Sequence, residues 1–246
     1  MIILKSPPEI ERIKRAGEIV KNAFEEIEEL IRPGITTGYL NHVAHSRIIK
    51  EGGRPAFLGY RGFPKSICVS INEEVIHGIP GKRVLKNGDL LKIDIGVFYK
   101  GYCADRARTY CIGDTTPLCH KLKDVAEGAF KMGISHCKKG GFINDISRAI
   151  QNYVEGFGFS VVRDFGGHGI GKELHEEPEV LNYVSDDNIE IKEGMVFCIE
   201  PMVNEGKSDV FILPNRWTVV TKDRKLSSHF EETIAITSNG PLVLTG

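Results

Sequence analysis

The strongest constraint on this chain is that it repeats itself once, without a gap, between Gly34 and Asp94. A shift of 106 residues places Gly34 on Gly140, Leu40 on Ile146, Ala44 on Ile150, Ile48 on Val154 and Gly52 on Gly158. The same shift carries Lys86 to Lys192, Gly88 to Gly194, Ile93 to Ile199 and Asp94 to Glu200. Two unrelated helix-and-strand segments align loosely, but they do not hold one offset over such a span. The period is too long for a solenoid. It predicts two copies of a helix-helix-sheet unit related by a pseudo-twofold.

Each copy opens with two helices. Apolar residues at Ile10, Ile13, Ala16, Val20, Ala23, Ile27 and Leu30 have the spacing of one helical face, Ser6 and Glu9 have the form of a capping box, and Pro33-Gly34 ends the run. A second helix is predicted over 37–50, with Leu40, Val43, Ala44 and Ile48 inward and Gly52-Gly53 as its stop. Strand-like runs follow at 67–71, 90–99 and 102–112, with Lys100-Gly101 as a tight hairpin turn. The second copy reads as helices over 117–136 and 144–155, then strands at 160–165, 195–199, near Thr218, and at 232–237. No Pro/Gly/Ser-rich linker parts the copies. One α+β domain over 1–246 is therefore expected, with halves of about 1–114 and 115–246 and helices on one face of a largely antiparallel sheet. The other face is free to carry a site.

Charge and cysteine usage narrow the function classes. With 32 Lys and Arg against 33 Asp and Glu, the net charge of −1 offers no footprint for DNA or an anionic membrane. No stretch reaches the roughly 18 apolar residues of a membrane span, and the first residues are too short an apolar run for a signal peptide. Cys68, Cys103, Cys111, Cys119, Cys137 and Cys198 contain no CxxC pair and read as reduced thiols of a cytoplasmic protein.

Carboxylates supply the first chemical clue. If Lys100-Gly101 turns the hairpin, Asp94 faces Ala107, and Asp105 lies on the same face as Asp94, diagonally across the pair. Asp94 stands between Ile93 and Ile95, and a poorly solvated carboxylate needs a metal ion or an arginine. Arg106 and Arg108 are near in sequence, but alternation turns them to the opposite face. Taken alone, the pair is equally an ion pair or a metal site. The second copy tips the balance: Glu200 ends an apolar run in the place of Asp94, and Glu231 corresponds to Asp105. Thirty-one residues separate Glu200 from Glu231 against 11 for the aspartates, so an insertion or longer hairpin lies between them. Folding the copies together brings four carboxylates to one centre, which two divalent cations would compensate.

Three histidines sit in Gly- or Pro-rich loops. His168 lies in Gly166-Gly167-His168-Gly169-Ile170-Gly171, where glycines leave room for backbone or substrate, His175 precedes Glu176-Glu177-Pro178, and His77 precedes Gly78-Ile79-Pro80. His42, His45, His120 and His136 fall in helical stretches and read as surface or packing residues, and His229 is left unassigned. There is no GxSxG elbow, no Walker A loop and no HExxH helix.

On the motifs Ser70–Pro80, Ile93-Asp94 through Asp105, Gly167–Gly171, His175-Glu176-Glu177-Pro178, Ile199-Glu200-Pro201-Met202 and Trp217-Thr218 through Glu231, the chain resembles the type I, bacterial-like methionine aminopeptidases over essentially its whole length. The resemblance implies the pita-bread fold and a dinuclear centre on Asp94, Asp105, His168, Glu200 and Glu231, with Asp105 and Glu231 bridging. That donor set suits Co²⁺, Mn²⁺ or Fe²⁺, with Zn²⁺ a further candidate. It implies removal of the initiator methionine from nascent proteins, with a small second residue preferred, by attack of a hydroxide bridging the two metals. Glu200 would relay the proton, His175 would bond the scissile carbonyl and its oxyanion, and His77 would contact the backbone nitrogen after methionine.

Tyr60, Phe63, Cys68, Leu174 and Trp217 match the family's methionine pocket, although Phe63 and Leu174 replace the Tyr and Phe common there. Asn72 and Ser227, with the Glu74 carbonyl, match a monovalent Na⁺ or K⁺ site. Expected partners are N-terminal Met peptides, nascent chains and, transiently, translating ribosomes, with the protein a cytoplasmic monomer. Only 32 residues separate His168 from Glu200, which leaves no room for the helical insertion of type II enzymes. The rivals are a proline-specific peptidase of the same fold, which normally carries an extra domain and a different His pattern, and a non-catalytic pita-bread binding protein. Without the family, a two-metal phosphoesterase is the competitor.

Overall fold

The computed structural model describes residues 1–186 and 188–246. Its helices are α1 (Pro7–Glu28), α2 (Thr37–Lys50), α3 (Pro117–Ser135) and α4 (Ile143–Gly156). At the start of α1 the Ser6 N–H donates to Glu9 Oε2 at 2.8 Å, the acidic half of the expected capping box, and the Ser6 hydroxyl donates to the same oxygen at 2.7 Å. The predicted apolar stripe is inward: Ile13, Ala16, Val20, Ala23 and Ile27 are fully buried. The corresponding stripes of α2 and α4 bury Leu40, Ala44 and Ile48, and Ile146, Ile150 and Val154.

The strands are β1 (Arg54–Pro55), β2 (Cys68–Ile71), β3 (Glu74–Ile76), β4 (Leu90–Tyr99), β5 (Tyr102–Cys111), β6 (Ser160–Val161), β7 (Gly167–Gly169), β8 (Glu176–Val180), β9 (Val196–Ile199), β10 (Met202–Asn204), β11 (Val210–Ile212), β12 (Val219–Thr221), β13 (Ser227–His229), β14 (Glu231–Thr237) and β15 (Gly240–Val243). Nine of them form a sheet in the order β1-β4-β5-β14-β9-β7-β8, with β2 on β4 and β15 on β14. Every pairing within it is antiparallel. The sheet takes strands from both copies and joins them where β5 meets β14.

The duplication is written into the backbone. Gly34 N–H donates to Leu85 O and Thr37 N–H to Arg83 O. At the same offset, Gly140 N–H donates to Ile191 O and Ile143 N–H to Ile189 O, all four at 2.9 Å. Where the copies meet, Arg106 lies opposite Glu232 and Ala107 opposite Glu231. The mapping that carries Asp105 to Glu231 also carries Arg106 to Glu232, so this pair lies on the pseudo-twofold.

Side-chain alternation sorts the two faces of the sheet. Ile93, Ile95 and Val97 of β4 pack with α1 and α2, and Phe197, Ile199, Ile234 and Ile236 pack with α3 and α4. Asp94 and Glu200 point the other way. The hairpin turn forms as expected, with Lys100 and Gly101 both at positive φ (47° and 81°), the conformation of a type I′ turn. Its register pairs Asp94 with Ala107 and Gly96 with Asp105, the predicted diagonal.

Two expectations change in detail. The strand expected over 160–165 is reduced to Ser160–Val161, because the chain then leaves the sheet for the glycine-rich loop. The extra residues between Glu200 and Glu231 fold as β10 to β13: β10 and β13 join β6 in one small sheet, and β11 and β12 join β3 of the first copy in another. No described helix is long and apolar enough to cross a membrane.

Candidate metal centre and active-site pocket

Four antiparallel strands present the carboxylates. Asp94 comes from β4, Asp105 from β5 and Glu231 from the first position of β14, while Glu200 directly follows β9. All four line one pocket of about 750 Å³, together with His77, His168 and His175 and with Tyr60, Phe63, Cys68, Leu174 and Trp217. Those twelve are the metal, catalytic and methionine-pocket residues expected from sequence. Asn72, Glu74 and Ser227 do not line it.

The local backbone explains why His168 is set among glycines. A Cβ on Gly167 would stand 2.2 Å from the Cys198 carbonyl oxygen, and one on Gly169 would stand 2.2 Å from the Glu177 carbonyl oxygen. The glycines thus let β7 pack between β8 and β9, so backbone rather than substrate fills that space. This fixes His168 beside the carboxylates, its Nε2 3.7 Å from Glu200 Oε1. The His175 ring lies 4.2 Å from it, centroid to centroid, and the Tyr60 hydroxyl is 2.8 Å from His175 Nδ1. His77, at φ 58°, meets Phe165 edge-on at 5.9 Å and Trp217 at 6.4 Å. Phe63 stacks edge-on against Trp217 at 5.1 Å and Phe57 at 6.5 Å, completing an apolar wall.

The electrostatics are those of a buried cluster of acidic groups. Burial, reinforced by the neighbouring carboxylates, pushes Asp94, Glu200 and Glu231 well above the ordinary carboxylate range, and burial raises Asp105 to about 6. Burial lowers His168 and His229 to about 3 and His77 and His175 to about 4, so all four are neutral near pH 7. Asp94 Oδ1 and Glu231 Oε1 are buried and take no hydrogen bond from the described residues. Among the described residues, the only basic side chains within 4.0 Å of the four carboxylates are the neutral imidazoles of His168 and His229. Arg106 and Arg108 engage Glu232 on the opposite face, as alternation required.

Donor atoms of Asp94, Asp105 and Glu231 converge within 4.8 Å of one another, as do those of Glu200, His229 and Glu231, and of His168, Cys198 and Glu231. The Cys198 thiol is pushed well up by burial and stays protonated, which leaves His168 and Glu231 as the donors of that third group. An oxygen-rich set with an imidazole, shared through Glu231 and lacking compensating cations, fits divalent metal.

Sequence reasoning missed His229 and Lys92. His229 ends β13, with Nε2 3.4 Å from Glu200 Oε2 and 4.0 Å from Glu231 Oε2, and Lys92 lies two residues from Asp94 on β4. The Lys92 ammonium donates to the carbonyls of Asn72 (2.8 Å) and Leu90 (3.2 Å), and the Ser227 N–H donates to the same Asn72 carbonyl at 3.1 Å.

Comparison with known proteins agrees with this geometry. A family model described as metallopeptidase family M24 matches residues 11–238. A methionine aminopeptidase of Clostridium acetobutylicum is 48% identical over 247 residues, covering 100% of this chain and 99% of the relative. The crystal structure of a Thermotoga maritima methionine aminopeptidase superposes with a TM-score of 0.97 at 41% identity, covering 100% of this chain and 99% of that one. A prolidase from Pyrococcus furiosus matches less well, with a TM-score of 0.81 at 25% identity, and this chain covers only 65% of it. The chain belongs to metallopeptidase family M24 and, within it, to the methionine aminopeptidases.

Proposed function

We infer that this chain is a metal-dependent aminopeptidase that releases N-terminal methionine from peptides and nascent proteins. The observation that carries this reading is the convergence of four under-compensated carboxylates and three neutral imidazoles in a pocket of about 750 Å³ that also has an apolar wall. In this proposal Asp94, Asp105, His168, Glu200 and Glu231 would hold two divalent cations. When bound, the cations supply Lewis acidity that activates water and polarises the scissile carbonyl.

The chain's own groups position the substrate and move protons. Glu200 is assigned as proton acceptor. The Tyr60 hydroxyl lies 2.8 Å from His175 Nδ1; in the tautomer where Nδ1 accepts that O–H, the ring proton is on Nε2, and this N–H would donate to the carbonyl oxygen as negative charge develops there. His77 meets the backbone nitrogen after methionine. Tyr60, Phe63, Cys68, Leu174 and Trp217 take the methionine side chain, whose flexible thioether suits aromatic edges. In this reading a small second residue is preferred.

The finer parts follow the same reading. The protein works as one catalytic domain, a cytoplasmic monomer that meets nascent chains at the ribosome. A Na⁺ or K⁺ ion would be held by Asn72, Glu74 and Ser227. Thermal stability in NaCl or KCl against choline chloride checks it, and no difference sets that ion aside.

The test of the main reading is cleavage by metal-stripped protein given Mn²⁺, Fe²⁺, Co²⁺ or Zn²⁺ in turn. Met-Ala-Ser should release methionine, Met-Leu-Ser little and Leu-Ala-Ser none, with all activity lost in Glu200→Gln. No release with any metal from folded protein would leave a binding site in place of an enzyme.

A further inference from the structure

His229 is 2% exposed and closes β13 two residues before Glu231. Its backbone is pinned on both sides. The Thr109 hydroxyl donates to its carbonyl at 2.7 Å and accepts from its N–H at 3.0 Å, and the next N–H, of Phe230, donates to the Pro201 carbonyl at 3.2 Å. The ring therefore has a fixed root beside both second-copy carboxylates. Among the described residues its Nε2 has no hydrogen-bond partner, and it lies 3.4 Å from Glu200 Oε2 and 4.0 Å from Glu231 Oε2. The other Glu200 oxygen, Oε1, faces His168 Nε2. Each oxygen of that carboxylate thus has its own imidazole. Among the described residues no N–H or O–H donates to the Glu200 carboxylate, although a buried carboxylate needs donors to remain ionised.

We propose that His229 is a positioning residue whose Nε2–H donates to Glu200 Oε2 and so fixes the carboxylate that serves as proton acceptor. The contact is longer than a mature hydrogen bond, as is common at sites that tighten only once occupied. A rival role as a further metal ligand puts a bare Nε2 toward Glu200 and Glu231 and moves the proton to Nδ1. The position of Nε2, nearer Glu200 than Glu231, favours the donor. The proposal rests on the assignment of Glu200 to the hydrolytic centre.

The test compares His229→Leu with His229→Gln, whose amide N–H can reach the same oxygen. The leucine variant should lower kcat about 10- to 100-fold with KM within about twofold, and glutamine should restore kcat to within about threefold of the wild type. X-ray absorption of Co²⁺-loaded protein should count the same number of nitrogen donors in all three. An unchanged kcat in His229→Leu, a failure of glutamine to rescue, or the loss of one nitrogen donor would overturn the proposal. If the leucine variant does not fold, ¹⁵N-imidazole spectra of wild type against His229→Gln decide, since the donor role requires a protonated Nε2. Glu200→Gln measured alongside separates the two ideas: full turnover in that variant sinks the hydrolytic centre, whereas a silent His229 series sinks only this role.

Discussion

The two copies build opposite sides of one centre, and they do it differently. In the first, Asp94 and Asp105 ride on a single hairpin whose two ten-residue strands are joined by a two-residue turn. In the second, Glu200 and Glu231 come from β9 and β14, which pair as closely (Ile199 opposite Glu232) but are separated in sequence by β10 to β13 and Trp217. The carboxylates respect the duplication; the imidazoles do not. At the 106-residue offset His168 corresponds to Gly62, His175 to Val69, and His77 to Tyr183. The repeated frame therefore supplies the negative charge. The three imidazoles come from departures from the repeat, whereas Glu200 and the pocket residues Cys68 and Leu174 lie within it.

The most severe way to test the symmetric part is to remove matching carboxylates. Asp105→Asn and Glu231→Gln, related by the pseudo-twofold, should each lower kcat/KM on the order of 10³-fold or more and weaken divalent-metal binding by similar factors in calorimetric titrations. Full metal affinity in one variant with loss in the other would show that the copies do not contribute equally.

The asymmetric part should answer more gently. His175→Ala should lower kcat about 10²- to 10³-fold, the usual cost of removing an oxyanion donor, while metal binding stays intact. Tyr60→Phe, which frees Nδ1 and so loosens the choice of tautomer, should cost about tenfold. A His175 variant that loses metal instead would move this residue into the charge cluster.

Stability without metal gives a third probe, with a definite sign. Asp105 is raised by burial from 3.8 to about 6. A carboxyl with a folded pKa above its unfolded value holds its proton more tightly when folded. The stability it contributes is present in acid and is lost as pH climbs from about 4 through 6. In chelator, Asp105→Asn should match wild type near pH 4 and exceed it at pH 8 by on the order of 3 kcal/mol, read by denaturant unfolding. Glu231→Gln should change in the same direction. A gap that shrinks with rising pH would contradict the charge-cluster reading, and saturating divalent metal should reverse the order at pH 8.

Much of this was legible in the sequence because two periodicities and one offset carry it. The α2 helix falls on its predicted 37–50, and the Lys100-Gly101 turn alone fixes the diagonal of Asp94 and Asp105. The strand at 160–165 was overestimated because β-branched residues there favour extended chain, whether or not a partner strand is available. The small sheets of the insertion were illegible because their strands are only three residues long and one partner, β3, lies in the other copy. The sequence leaves His229 unassigned because a strand expected over 232–237 starts after Glu231 and gives no reason to extend alternation back to it.

The smallest effect is the cleanest comparison of the two frames. Gly34 and Gly140 end equivalent loops at φ 93° and 82°, and Gly52 and Gly158 follow α2 and α4 at φ 78° and 79°. None of the four has an atom within 4 Å of where a Cβ would stand, so alanine there meets no clash and pays only for the left-handed backbone. Each substitution should destabilise by about 1 kcal/mol, with the same value within each pair. Because the local geometry is matched, a larger cost in one copy cannot come from the turn itself. It would mean that the substituted turn perturbs its half unequally, and hydrogen exchange would show which of α1-α2 or α3-α4 opens first. Equal costs would show that the frame has kept its twofold energetics even where the active-site loops have lost theirs.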